Sequence, residues 1–75
     1  MSEERENVVR EELRYLASVL EGLSFPAERW QVIAWASYNG AGLPLVGALQ
    51  DMPAILYLSV GHVGRELNEV SPDWW

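Results

Sequence analysis

The chain contains no cysteine and no lysine among its 75 residues, and only one histidine and one phenylalanine. Without cysteine there is neither a disulfide nor a thiolate metal site, which fits a reducing, cytoplasmic setting. A single histidine cannot furnish a metal cluster, so no metal or other cofactor is expected. Basic residues are scarce too: five arginines face 11 acids, for a net charge of −6. Binding a phosphate backbone needs several cations set together, and that shortage argues against nucleic acid as a partner. An acidic mimic of nucleic acid would array its carboxylates along a face, yet here they thin out after Glu28. Long apolar runs are also missing. The longest apolar region, residues 42–64, is interrupted by Gln50, Asp51 and Pro53, whereas a spanning helix needs about 20 largely apolar residues. No membrane-crossing segment is therefore expected, although docking onto a membrane complex remains compatible. Met1 to Arg14 is acidic and polar, unlike a secretory leader.

What the chain does have is apolar surface. Hydrophobic residues make up 49% of it, including four tryptophans and three tyrosines. That is enough for a packed core and too much for a disordered chain. The expectation is one small domain over residues 1–75, with residues 1–8 frayed and residues 71–75 forming a tail. At this size about 60% of the unfolded surface is buried, so stability is marginal.

Helical periodicity dominates the reading. Val9, Leu13, Leu16 and Leu20 recur at intervals of four, three and four, predicting a longer first helix over residues 3–21, with Tyr15 and Val19 widening its stripe. Glu3, Glu4 and Glu6 complement the positive end of its dipole. Gly22 suits the stop. Pro26 suits the first turn of a second helix, which Asn39-Gly40 ends. A third helix spans residues 44–51 with Leu45, Val46, Ala48 and Leu49 apolar, and Met52-Pro53 closes it. Residues 54–58 read as a tight connection with its side chains packed inward, because an isolated strand would have no partner. Ser59 caps a fourth helix over residues 60–70, with Val63, Leu67 and Val70 inward. The predicted fold is all-α, a compact bundle of four short helices with a longer N-terminal one.

The second helix is apolar nearly all the way round. Between Trp30 and Tyr38 only Gln31 and Ser37 are polar and nothing is charged. A surface helix of a small monomer keeps one wet face, so this helix has something else to touch. At 100° per residue Val32, Ile33 and Ala36 define the inward face. Trp30 and Trp35 flank it, and Ala34 and Tyr38 lie at the back.

Phe25-Pro26-Ala27, Val32-Ile33, Ala36, Asn39-Gly40-Ala41, Ala48-Leu49, Met52-Pro53, Tyr57, Ser59, Val63 and Leu67 follow a familiar order. In that order the chain resembles a small bacterial family, domain of unknown function 2795, over about residues 20–67. The resemblance implies an all-helical fold and no established activity or catalytic residues. Members tend to carry charged residues where this chain has Trp30 and Trp35, and a small or polar residue in place of Tyr38. Past the proline, the family's charged pair becomes Ile55 and Leu56. These departures fall on the expected wet surface and imply a scaffold adapted to an apolar partner.

No catalytic constellation is visible. His62 has no cysteine or serine partner and reads as a cap or surface residue. Glu11-Glu12, and Glu66 with Glu69, read as solvated faces. Gly40-Ala41-Gly42 is a turn, not a phosphate loop. The function expected is therefore non-enzymatic: a protein–protein interaction module, an accessory subunit or regulator of a larger complex. Its contact surface would centre on Trp30, Ala34, Trp35 and Tyr38, with Trp74 and Trp75 as secondary anchors. Self-association would satisfy the same residues. Two blander readings compete: helix 1 covers the helix 2 aromatics, or the tryptophan tail folds back on its own core. The alternative function is a helix-turn-helix-like nucleic-acid-binding regulator, built on helices 2 and 3. It suffers from a would-be recognition helix with no arginine or lysine.

Overall fold

Four helices and a two-stranded ladder form in the order α1 (Ser2–Val19), β1 (Ala27–Glu28), α2 (Arg29–Tyr38), α3 (Leu43–Gln50), β2 (Leu56–Tyr57) and α4 (Val60–Val70). The computed structural model describes residues 2–72 and residue 74, with side chains from Glu11 onward. The first-turn acids, Val9, the fraying of residues 1–8 and Trp75 lie outside the residues so described.

The helices close where the glycines allow. Gly22 has φ 88° and Gly40 has φ 85°, a region that a Cβ makes costly. The last carbonyls of a helix have no intrahelical partner. At the end of α1 and in the turn after it, two carbonyls are taken up by a side chain of α2 and by the residue that caps it. Asn39 Nδ2 donates to the Val19 carbonyl at 2.7 Å, and Trp35 Nε1 donates to the Glu21 carbonyl at 2.7 Å. A Cβ on Gly22 would sit 3.4 Å from Trp35 Cζ2, whereas one on Gly40 would meet nothing within 4 Å. Gly40→Ala should therefore cost about 1 kcal/mol of backbone strain alone. Gly22→Ala should cost at least as much and shift the Trp35 fluorescence. Urea unfolding of both variants checks this, and equal spectra would break the Trp35 link.

The expected stripes meet in one core. From α1 come Leu16 and Val19, with Leu20 just past its end; from α2, Val32 and Ala36; from α3, Leu45, Ala48 and Leu49; from α4, Val63 and Leu67. Leu13 and Val70, expected inward, sit at the margin and stay 38% and 40% exposed. Gly64 is buried where α4 crosses α1, and its missing Cβ would stand 2.9 Å from Leu13 Cδ2. Ser59 caps α4 as expected, its Oγ accepting from the His62 N–H at 3.1 Å.

Two expectations are corrected. Residues 54–58 are not an inward-packed connection: Leu56 and Tyr57 form a strand, and Ile55, Leu56 and Leu58 remain 42%, 50% and 65% exposed. Pro26 does not open α2 either, because Ala27 and Glu28 pair antiparallel with that strand, in register Ala27↔Tyr57 and Glu28↔Leu56. The helix begins only at Arg29, with Glu28 as its N-cap, and the Glu28 N–H donates to Gln31 Oε1 at 2.8 Å. The register puts Ala27 and Tyr57 inward and Glu28 and Leu56 outward, as strand alternation requires.

Candidate functional site

The outward side of α2 is set by the inward one. Val32 and Ala36 are fully buried, and at 3.6 residues per turn Ala34 falls diametrically opposite their midpoint. Trp30 and Tyr38, one turn before and one turn after, complete a stripe at intervals of four. Trp30 is 64% exposed and Tyr38 88% exposed, and Ala34 is also exposed. Trp35 is different. It leans toward the end of α1, is 38% exposed, and is tethered through its indole N–H to Glu21. The α1–α2 turn thus partly covers Trp35, while Trp30 and Tyr38 stay largely uncovered.

Trp30 stands between two grooves. On one side a groove of about 330 Å³ is lined by Leu23, Ser24, Trp30, Gln31, Ala34 and Trp35, with Gly22 at its end. On the other a groove of about 250 Å³ is lined by Glu28, Arg29, Trp30, Ala54, Ile55 and Leu56. The indole is held in place by its N–H, which donates to the Glu28 carboxylate at 2.6 Å. Since Leu56 lies directly across the ladder from Glu28, Trp30, Glu28 and Leu56 share one face.

The expected site residues therefore separate. Trp30, Ala34 and Trp35 line one groove, and Tyr38 lies one helical turn beyond Ala34 on α2. Trp74 does not join them: at 5% exposure it is packed into the core, beside Tyr15, Pro44 and Leu45, and offers no anchor to a partner. Burial of its indole outweighs any exposed role, and the tail reading that folds back on its own core describes Trp74. Trp75 lies outside the described residues. Glu28 joins the surface through its bond to the Trp30 indole, and Leu56 through its pairing with Glu28. The aliphatic pair Ile55-Leu56 after the proline was the available signal.

Away from this surface, His62 and Tyr57 are engaged in holding the fold. His62 Nδ1 accepts the Leu58 N–H at 3.0 Å, and its ring lies 5.1 Å from that of Tyr57. Tyr57 donates its O–H to the Pro53 carbonyl at 2.6 Å. Burial, with Glu66 adding to it, pushes the Tyr57 phenol above its ordinary value, against a smaller opposing pull from Arg29. Among the described residues no group of three or more histidines and acids could hold a metal ion, and no helix is long and apolar enough to cross a membrane.

Comparison with known proteins adds a family and nothing more specific. A family model described as protein of unknown function (DUF2795) matches residues 11–63, beginning earlier and ending sooner than residues 20–67. No curated protein matches the chain, and no solved structure does. Trp74 lies beyond the matched segment.

Proposed function

We propose that this chain, which belongs to the DUF2795 family of proteins of unknown function, is a non-enzymatic protein–protein interaction module. It acts as an accessory subunit or regulator of a larger complex in the cytoplasm, binding through the outward face of α2. One observation carries the reading: Trp30 and Tyr38 present most of their rings to water, one helical turn either side of Ala34. Exposed aromatic rings of this size are the residues on which binding energy concentrates. A contiguous apolar patch on a small monomer marks a contact site. The rings also have no role in the core, since the residues opposite them fill it.

The nucleic-acid reading has less support. In α3 the residues left exposed are Leu43, Pro44, Gly47 and Gln50, none of them cationic. A helix of that kind has nothing to offer a phosphate backbone.

The double variant Trp30→Ala, Tyr38→Ala should keep its helicity and melting temperature. It should lose a component that co-purifies with the unaltered chain from its source cells. Each exposed hot-spot ring is worth about 2 kcal/mol or more, so the combined loss in affinity should exceed a hundredfold. Capture of the same component by both proteins, with matched stability, would refute this surface as the contact.

A further inference from the structure

We infer that the contact surface extends across Trp30 onto the β1–β2 ladder and that it takes a basic, apolar segment, with a cation seated over the face of the Trp30 ring beside the Glu28 carboxylate. This rests on the α2 face being an interface and adds the chemistry of the occupant.

Trp30 forms a ridge with a groove on either side, one toward Ala34 and Trp35, the other toward Ile55 and Leu56. A helix laid across it would place successive apolar residues in the two grooves, as helix-in-groove recognition does. The charge comes from Glu28, which is exposed beside the ring with its carboxylate fixed by the indole N–H. Arg29 also borders the second groove, but its Nη1 donates to the Met52 carbonyl at 2.8 Å and is turned toward the end of α3. A cation over an indole face is attracted by the ring quadrupole, and here a carboxylate lies within reach of the same cation. A second copy of the chain fits poorly. It would bring another net charge of −6 to a surface that already carries Glu28.

The test uses synthetic helical peptides of about 15 residues, a length that lets a helix form in water. All carry the same leucine face, flanked in one by arginine and in the other by glutamate. Binding is followed by the Nε1–H resonance of Trp30 in the full chain. The arginine peptide should move that resonance and weaken with added salt, and the glutamate peptide should bind at least tenfold less well. Glu28→Gln keeps an acceptor for the indole and removes the charge. It should lower the melting temperature by only a few degrees, the contribution of a charge at the N-terminus of α2, and cut affinity for the arginine peptide about five- to tenfold. Equal, salt-insensitive binding of both peptides would overturn the cation seat. So would a chain that takes neither peptide and sediments as a dimer. If Trp30 ignores both peptides while the Trp30→Ala, Tyr38→Ala variant still loses its native partner, this inference fails and the proposed function stands.

Discussion

Replacing Tyr57 by alanine is expected to remove about 3–5 kcal/mol of stability, most of what a domain of this size holds. The side chain is fully buried, the largest in the core to be so. It also ties three parts of the chain together. Its backbone pairs with Ala27, its O–H reaches Pro53, and its ring meets that of His62. Truncation would leave a cavity beneath the ladder and loosen β2 from both β1 and α4. Tyr57→Phe separates the hydroxyl from the ring and should cost about 1 kcal/mol. The phenol adds a dependence on pH. Its proton is held more tightly in the folded state than in the unfolded chain, because burial disfavours the phenolate. Stability is then undiminished below about pH 10 and falls as the pH rises beyond it. Tyr57→Phe should show a shallower alkaline decline in urea midpoints. Identical declines would remove Tyr57 as the cause.

The second large effect distinguishes two tryptophans that look alike in the sequence. Trp35→Ala should destabilise the domain by about 2 kcal/mol, losing the bond to the Glu21 carbonyl and the cover over the Gly22 turn. Trp30→Ala should stay within about 0.5 kcal/mol, since its ring is mostly in water. Thermal unfolding of the two variants decides the matter. Equal losses would mean that Trp30 too is a structural residue and the surface has been misassigned.

The helical periods were readable because each buried stripe recurs at three and four residues, and Gly22, Asn39-Gly40 and Ser59 mark the ends by local chemistry. The ladder was not readable. Ala27 and Glu28 are poor strand formers, so nothing local predicts that they pair with Leu56 and Tyr57; tertiary packing of Tyr57 imposes it. Because β1 takes Ala27 and Glu28, α2 starts at Arg29 and not at Pro26. The outward position of Trp30 and Tyr38 followed from the helical angle, and it needed only α2 to be correct. The state of Trp74 depended on how the end of the chain turns back, for which periodicity has no signal. Glu28 entered the surface only through its bond to the Trp30 indole.

The whole account depends on whether two rings are wet in the free domain and dry in its complex. The most direct measurement is attenuation, by a soluble nitroxide, of the Trp30 indole and Tyr38 ring resonances in the isolated chain and in the chain bound to its co-purified partner. The expected result is strong attenuation of both in the free state, weak attenuation of the tethered Trp35 indole, and protection of Trp30 and Tyr38 on binding. Protection of Trp30 and Tyr38 already in the isolated monomer, or unchanged attenuation in the complex, would contradict it.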